Sequence, residues 1–455
     1  MASAQASSIG AALTPHPDLQ RALGYRSPYK FLKEFRTDPL GFLAKLRDNA
    51  DIVRFAWGRR VFFYVFHPEA ARHVLQFNHR NYQKEVGAKR IFKPMLGEGM
   101  FTSDGDRWLS ERRVAQPAFH KKQIAALAGV MTNAIDEMLE RWDHAATSGG
   151  TLDVGRETIR LALAVASRTL FSSEVMIDEE KLRVIMNQGF EYLNHRLYHP
   201  MSAPLFVPTR RNLRTRRAIR ELDRIAYGIL DSHRDGEGDD LLSMLLAGGG
   251  GNDRKLMRDE IVTFIGAGSE TTAVTLSWCI YLLSRHPEAR DKLSEEVSRV
   301  LNGRTPTAAD VRALTYTRMV VNETLRLYPP AFATSRTAIG ADEIGGQQVP
   351  AGATVLIGIH TIQRDPRFWA EPEKFDPDRL SPERSVGRHD YAFFPFGGGP
   401  RQCIGEEFAL MEATLAIAMI AQRYQFEILP EIEVHANPVF TLRPDPGVFV
   451  KPHRL

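Results

Sequence analysis

The chain has 455 residues, of which 43% are hydrophobic and 25% are charged, and this balance predicts a globular protein with a large core. A formal charge of only +4 excludes the concentrated positive charge that is typical of nucleic-acid-binding proteins. The two cysteines, Cys279 and Cys403, are too few for a disulfide framework.

The first residues are rich in Ala, Ser and Pro, and we expect residues 1–25 to be loosely ordered and residues 26–455 to form a single domain. The N-terminus lacks the charged start and continuous apolar core of a secretory signal. No apolar stretch approaches the roughly 20 residues of a membrane-spanning helix. These features predict a cytoplasmic protein without a membrane span.

Alternating aromatic segments on either side of Gly58 predict a β-hairpin from Asp51 to Phe66, and His67-Pro68 then begins a short helix. Helical periodicity dominates the following part of the chain. The predicted helices are 106–117, 121–148, 153–172, 179–196, 209–234, 255–286, 287–301, 315–328 and 406–423. Short strands are expected within 329–358, an irregular loop over 364–402, and hairpin segments at the C-terminus. The fold class is therefore mainly α with a minor β region.

The segment FGGGPRQCIG, from Phe396 to Gly405, has the composition of a metal-binding cysteine loop. A metal-binding thiolate needs positive neighbours, backbone donors and little steric crowding. The glycines on both sides of Cys403 permit a tight turn and close approach of a flat cofactor, and Arg401 supplies a nearby cation. The helix predicted to begin at Glu406 would direct the positive end of its dipole towards the sulfur.

This segment resembles the haem-binding loop of the cytochrome P450 superfamily, F-x-x-G-x-R-x-C-x-G, at every fixed position. The resemblance implies the triangular helical fold of that superfamily, bound haem b (iron protoporphyrin IX) and Cys403 as the axial iron ligand. Phe396 and Gly405 would then lie against the haem. Cys279, in an apolar helical stretch, is expected to be an inert core residue.

The resemblance extends over nearly the whole chain. The pair Glu323 and Arg326, followed by Arg379 in the segment FDPDR, is similar to the structural triad of the superfamily. The similarity implies a buried ion network that supports the haem-side core rather than the chemistry.

Within the longest predicted helix stands the segment AGSETT, from Ala267 to Thr272. Gly266 and Gly268 are unfavourable inside a helix and suggest a local widening. The resemblance places this segment over the iron, with Ala267 against the haem. It implies that Thr271 holds the oxygen being activated and that Glu270 relays protons.

Four further residues are expected at the haem carboxylates. The segment WLSER resembles the motif of a helix beside the haem propionates, which implies that Trp108 and Arg112 contact them. Arg336 and Arg401 are assigned there by the same resemblance, since the guanidinium group matches carboxylate geometry.

The resemblance implies a monooxygenase that activates O2 and inserts one oxygen atom into an apolar substrate by hydroxylation or epoxidation. The chain carries no flavin or nicotinamide segment, so electrons are expected from a separate ferredoxin or flavodoxin with its reductase. Cationic residues such as Arg113, Lys121 and Lys122 would steer an acidic donor.

We expect the substrate pocket to be lined by the loop 84–103, the segment 190–208, the first half of the long helix, Ala331–Thr334 and Val439–Leu442. The Pro-broken apolar segment His199–Pro208 is expected to act as a lid, with a plain surface loop as the alternative. Fatty acids, terpenoids, steroids and polyketides all fit such a pocket.

Other functions stay open at this point. A peroxide-dependent haem-thiolate enzyme, a non-enzymatic haem protein acting as a sensor or electron carrier, and a helical scaffold without a cofactor are the alternatives. The retained pair of Glu270 and Thr271 disfavours the first, the lack of an output domain disfavours a sensor, and the cysteine loop disfavours the scaffold.

Overall fold

The structure is a computed structural model, and it describes residues 13, 15–16, 23, 25, 28–172, 179–199, 202–233, 240–248, 253–429 and 432–455. The chain divides into two compact units, each assembled from several chain segments. Unit 1 contains residues 1–90, 326–374 and 385–403, and unit 2 contains residues 91–325, 375–384 and 404–455. Most of the N-terminal segment that was predicted to be loosely ordered lies outside the described residues.

Helices make up most of the described chain, which confirms the predicted fold class. The α-helices are α1 (Pro28–Thr37), α2 (Pro39–Arg47), α3 (Pro68–Arg72), α4 (Val86–Leu96), α5 (Gly105–Ala115), α6 (Lys121–Ala126), α7 (Ala128–Ser148), α8 (Val154–Leu170), α9 (Glu179–Tyr198), α10 (Arg210–Ser232), α11 (Leu241–Ala247), α12 (Arg254–Arg285), α13 (Pro287–Leu301), α14 (Thr315–Leu327), α15 (Ile359–Ile362), α16 (Pro382–Ser385) and α17 (Glu406–Arg423). The strands are β1 (Pro15–His16), β2 (Ile52–Trp57), β3 (Arg60–Val65), β4 (Tyr82–Lys84), β5 (Leu152–Asp153), β6 (Thr334–Ala338), β7 (Asp342–Ile344), β8 (Gln347–Val349), β9 (Thr354–Ile357), β10 (Tyr424–Ile428), β11 (His435–Pro438), β12 (Leu442–Asp445) and β13 (Phe449–Arg454).

Unit 1 is organised around a six-stranded sheet with the strand order β1-β2-β3-β9-β6-β4. The predicted hairpin is confirmed as β2 and β3, which pair antiparallel from Ile52↔Val65 to Trp57↔Arg60 around Gly58. Gly58 adopts a φ of 60°, which glycine reaches without a steric penalty and which the tight turn needs. An aromatic core that includes Phe31, Phe42 and Phe55 covers one side of this hairpin.

Unit 2 is mainly helical, and its centre is α12, the longest helix. Thr158 of α8 donates its hydroxyl hydrogen to the carbonyl of Ala273 on α12, at 3.2 Å, so the two helices lie in close contact. A three-stranded sheet with the order β10-β13-β5 and the two-stranded hairpin β11-β12 complete this unit. None of the helices among the described residues combines the length and the apolar character needed to cross a membrane.

The predicted helices are confirmed to within a few residues, with one division that the sequence did not indicate. The helix predicted over 121–148 is interrupted at Leu127, between α6 and α7. The helices α1, α2, α4, α11, α15 and α16 were not predicted. Two of them, α1 and α2, begin at prolines, which are favourable in the first turn of a helix.

The predicted inert character of Cys279 agrees with its environment. Burial raises the pKa of its thiol to about 12. The sulfur lies 3.3 Å from Oγ1 of Thr324 on α14, inside the core of unit 2. Both cysteines of the chain lie among the described residues, and neither forms a disulfide.

The expected triad residues are buried, and their contacts differ in kind. In unit 2, Oε1 of Glu323 forms an ion pair with Nε of Arg379 at 3.0 Å and accepts from the backbone amide of Asp376 at 3.1 Å. In unit 1, Arg326 donates to the carbonyls of Pro372 at 2.7 Å and of Gln363 at 3.0 Å. These buried charges therefore hold the irregular segment around residues 363–379, as the prediction of a structural role required.

Glu412 is a buried acid on α17 that the sequence analysis did not single out. Its side chain is 0% exposed, and neither carboxyl oxygen has a hydrogen-bond partner among the described residues. Burial raises the pKa of this carboxyl well above its ordinary value of 4.5. The group therefore stays protonated in the folded protein under conditions in which it ionises in the unfolded chain.

We predict that Glu412→Gln stabilises the protein increasingly as the pH rises above 4.5. Above this pH the unfolded chain binds fewer protons than the folded one, so the wild type loses free energy of unfolding, by up to about 1.4 kcal/mol per pH unit, until the folded pKa is reached. Denaturant titrations from acid to neutral pH measure the difference. The exposed Glu295 provides the control variant Glu295→Gln, and equal pH dependence of both variants and the wild type would contradict the prediction.

Candidate active site

The cysteine loop lies in unit 1 and is closed by backbone hydrogen bonds. The amide of Cys403 donates to the carbonyl of Phe396 at 2.9 Å, and the amide of Gln402 donates to the carbonyl of Gly399 at 3.0 Å. The side chain of Cys403 is exposed, whereas Phe396 is half-buried. The loop thus presents a sulfur at its surface on a backbone whose conformation is fixed by its own bonds.

Two glycines of this loop need their conformational freedom, for different reasons. Gly397 has a φ of 75° and Gly399 has a φ of 68°, both in the left-handed region. A Cβ atom at Gly399 would lie 1.9 Å from the carbonyl oxygen of Leu75, whereas a Cβ atom at Gly397 would meet nothing within 4 Å. The loop therefore packs against the backbone at Leu75 so closely that only glycine fits at 399.

Unit 1 also holds the two cationic residues Arg336 and Arg401. Arg336 lies on β6, is half-buried, and donates to the carbonyl of Ser335 at 2.8 Å and to Oγ1 of Thr334 at 3.0 Å. Arg401 ends the short 3-10 turn that begins at Gly399 within the cysteine loop. Both residues were predicted from the sequence to bind the haem carboxylates, and both guanidinium groups have the hydrogen-bond donors for such contacts.

In unit 2, α5 carries Trp108 and Arg112 one helical turn apart. Trp108 is 9% exposed and Arg112 is half-buried, so this side of α5 faces the protein. Residues four positions apart project from the same face of a helix, which places the indole and the guanidinium side by side. This placement agrees with the motif spacing from which both were predicted.

A narrow accessible strip interrupts the buried middle of α12. Among residues 257–280 of this helix, solvent reaches only Ala267, Gly268 and Thr271 to a substantial extent, and the others are buried. Their spacing of one and four residues places them on one face. The hydroxyl of Thr271 donates to the carbonyl of Ala267 at 2.8 Å, so the alcohol lies along this strip.

The local widening expected at Gly266 and Gly268 is not present, because α12 is α-helical without interruption from Arg254 to Arg285. The presence of glycine at position 266 is explained instead by helix packing. A Cβ atom at Gly266 would lie 3.2 Å from the end of Met186 on α9, so glycine here allows the two helices to approach.

Glu270 is oriented away from the accessible strip. It is 3% exposed, and its Oε1 accepts from Oγ1 of Thr441 at 2.7 Å and from Nε of Arg443 at 2.5 Å. Consecutive residues of a helix project about 100° apart, and Glu270 is turned towards Thr441 and Arg443 while Thr271 lies along the strip. The sequence analysis predicted that Glu270 and Thr271 act as a pair, whereas in the structure their side chains have different hydrogen-bond partners.

The loop before α5, which was predicted to line the pocket, is held by consecutive charged residues of α12. Asp259 accepts from the amide of Glu98 at 2.9 Å, and Glu260 accepts from the amide of Met100 at 2.8 Å. Arg258 donates to Asp223 at 2.7 Å and to the carbonyl of Met95 at 3.0 Å. Sequence reasoning missed these residues, although three adjacent charges at the start of a buried helix are an unusual feature that could have identified them.

Four phenylalanines of the predicted pocket segments form a cluster within unit 2. Phe92 packs edge-on against Phe101 and Phe440, with ring centroids 5.3 and 5.6 Å apart, and Phe190 stacks on Phe440 at 5.2 Å. They come from α4, the loop after it, α9 and the turn between β11 and β12. This cluster provides an aromatic surface of the kind that apolar ligands contact.

Part of the expected lid segment is tied to the helices on either side of it. Arg196 of α9 donates to the carbonyl of Ser202 at 2.7 Å, and Asn212 of α10 donates to the carbonyl of Val207 at 2.8 Å. Phe206, between these contacts, is 77% exposed. Pro200 and Met201 lie outside the described residues.

The residues of unit 1 fit a haem, because this unit has an exposed cysteine in a glycine loop that admits close backbone approach, together with two arginines. Unit 2, taken by itself, carries an arginine, a tryptophan and a helix strip of small residues of the kinds that a haem contacts. A thiolate is a suitable ligand for haem iron, and guanidinium groups suit the haem carboxylates.

Comparison with known proteins agrees with this chemistry. The family profile of cytochrome P450 matches residues 29–451. Cyclooctatin synthase of Streptomyces melanosporofaciens is 36% identical over 422 residues, which cover 90% of this chain and 90% of that protein. Cyclooctat-9-en-7-ol 5-monooxygenase of the same organism is 36% identical, with 86% of each chain covered. Pentalenene oxygenase of Streptomyces avermitilis is 33% identical, with 87% of this chain and 88% of that protein covered.

The fold and the matched sequence define a haem-dependent oxygenase. The chain belongs to the cytochrome P450 family. It is a monooxygenase that uses haem, O2, an organic substrate and electrons from a redox partner, and the predicted cytochrome P450 fold is confirmed.

We predict that Gly399→Ala destabilises the protein by about 2–5 kcal/mol, from a strained φ and a backbone clash together. The matched variant Gly397→Ala keeps the strain but lacks the clash, so its loss should be about 1–2 kcal/mol. Denaturant unfolding and the haem content of the purified proteins measure both effects. Equal losses in the two variants would show that the contact with Leu75 does not constrain the loop.

Proposed function

We propose that Cys403 is the axial thiolate ligand of the haem iron in this monooxygenase. The observation that carries the proposal is the exposed sulfur on a loop closed by the bond from the Cys403 amide to the Phe396 carbonyl. The chain's other cysteine, Cys279, is buried, and its raised pKa disfavours the thiolate. A single haem-binding domain over residues 26–455 is part of the same proposal, since one family profile matches residues 29–451.

The remaining cofactor contacts are proposed from residue chemistry. Phe396, Gly405 and Ala267 would lie against the ring, where an aromatic side chain or a small residue permits contact. The donors Trp108, Arg112, Arg336 and Arg401 would bind the two haem carboxylates and neutralise their charge.

When bound, the haem supplies the redox chemistry that activates O2 for insertion into a C–H or C=C bond. The protein has to hold the substrate, exclude water and deliver protons. Thr271 lies on the accessible strip of α12 and has a hydroxyl that can hold and pass a proton there. Glu270, an acid on the same helix, would supply protons towards that strip after turning from its partners.

A terpenoid is the substrate class that we propose. Three relatives are named for cyclooctatin, cyclooctat-9-en-7-ol and pentalenene. The phenylalanine cluster around Phe440 offers flat apolar contacts, which suit a hydrocarbon skeleton. Fatty acids, steroids and polyketides are less favoured because no relative named here concerns them.

A separate acidic ferredoxin or flavodoxin is the electron donor that we propose, with the cytoplasm as the location. Lys121 is 83% exposed, and Arg113 and Lys122 are exposed as well. Exposed cations on neighbouring elements attract an acidic partner and orient it during encounter.

We predict that Cys403→Ala abolishes the strongly red-shifted carbon monoxide band of the reduced protein, because that band requires a thiolate ligand to the iron. The matched variant Cys279→Ala should keep the band, since its sulfur is buried beside Thr324. Absorbance spectra of the two purified variants measure this. A red-shifted band in Cys403→Ala would overturn the ligand assignment.

We predict that Thr271→Ala diverts electrons from product to hydrogen peroxide, because protons are no longer held at the accessible strip. The yield of product per electron pair should fall by about tenfold or more, as expected for loss of a proton-transfer group. Thr275→Ala is the control, since that hydroxyl also donates to the carbonyl four residues earlier but is buried. Unchanged coupling in Thr271→Ala would remove Thr271 from the relay.

A further inference from the structure

The carboxylate of Glu270 is held by a hairpin distant in sequence. Oγ1 of Thr441 and Nε of Arg443 both donate to the same oxygen, Oε1. Thr441 stands in the turn directly before β12 and Arg443 lies on β12, so both donors come from the same end of the hairpin. Two donors on one oxygen restrict the rotation of the carboxyl group, and one of the donors carries a full charge.

The hairpin is itself fixed to the helix that carries the acid. Nε1 of Trp278, two turns after Glu270 on α12, donates to the carbonyl of Leu442 at 2.8 Å. Leu442 stands between the two donors and is 0% exposed. The position of the donors relative to Glu270 is therefore determined by a second, independent contact with α12.

Arg443 also connects Glu270 to the surface and to the aromatic cluster. Its side chain is 32% exposed, whereas that of Glu270 is 4% exposed. The guanidinium carbon lies 5.4 Å from the ring centroid of Phe190, and Nη2 lies 3.4 Å from Oδ1 of Asn187. Arginine stays charged at any pH that the protein survives, so Arg443 cannot pass protons itself.

We propose that Arg443 and Thr441 are positioning residues for proton delivery. They hold the Glu270 carboxylate at the hairpin until its side chain turns towards the strip that contains Thr271. This inference rests on the proposed role of Glu270. It adds that the geometry of the acid is set by β12 and the turn before it, and that loss of either donor impairs proton delivery through Glu270.

The first test compares product formed per electron pair in Arg443→Gln, Glu270→Gln and the double variant. Arg443→Gln should lower this yield by about tenfold, since misplacement of a group by about 1 Å can cost on the order of 100-fold. The double variant should be no worse than Glu270→Gln, because a positioning residue has no effect once its target is gone. Arg443→Lys, which keeps the charge, should recover part of the yield.

Arg454→Gln is the matched control, because Arg454 also lies on a C-terminal strand and pairs with an acid, Asp143, at 3.2 Å. It should leave the yield unchanged. Thr441→Val provides a second route if Arg443→Gln binds haem poorly, since it removes only the hydroxyl. It should also lower the yield and should be non-additive with Glu270→Gln.

A readout independent of turnover is the position of the acid in a crystal structure of Arg443→Gln, in which the Glu270 carboxylate should leave Thr441 and the hairpin. Additive losses in the double variant, or an unmoved carboxylate, would overturn the positioning role. A normal yield in Arg443→Gln together with a low yield in Glu270→Gln would also overturn it but leave the proposed relay intact. A normal yield in Glu270→Gln would instead overturn the relay itself.

Discussion

A sulfur that is to bind a haem iron has to be accessible to the haem, and the chain that carries it has to be rigid, although accessible loops are usually the least constrained parts of a protein. The loop from Phe396 to Cys403 meets both requirements with its backbone. The amide of Cys403 is used in closing the loop, and the close approach of Gly399 to Leu75 fixes the turn. Side chains on the loop are thereby left to face a ligand, and the proposed ligand bond depends on this arrangement.

A second constraint comes from helix geometry on α12. Neighbouring residues of a helix project in different directions, so two adjacent residues can have different surroundings. On α12, one of them lies on the accessible strip and the other one forms an ion pair. Thr271 lies on the strip, and Glu270 contacts Arg443 of β12. In the proposed relay, Glu270 has to change its side-chain conformation to deliver a proton, which is why the residues that hold it belong to the proposed mechanism.

Four other buried charged residues organise irregular segments of the chain. Glu323 and Arg326 bind backbone groups of the segment after β9, and Asp259 and Glu260 bind amides of the loop before α5. A charged group that satisfies backbone donors or acceptors replaces the hydrogen bonds that regular structure would supply. The long loops can therefore stay ordered without becoming helices or strands.

The family, the helical character, the hairpin β2-β3 and the residues proposed to bind the haem could be predicted from the amino-acid order, because these depend on local periodicity and on motifs read within a few positions. The helices α1 and α2 were missed, although each begins at a proline, which is favourable in the first turn of a helix. The folded structure was needed to show that Glu270 is held by Thr441 and Arg443, that Gly266 allows packing against α9, and that Arg258, Asp259 and Glu260 hold a loop. Such contacts join residues up to 173 positions apart, and no local pattern records which distant side chain a buried charge will meet.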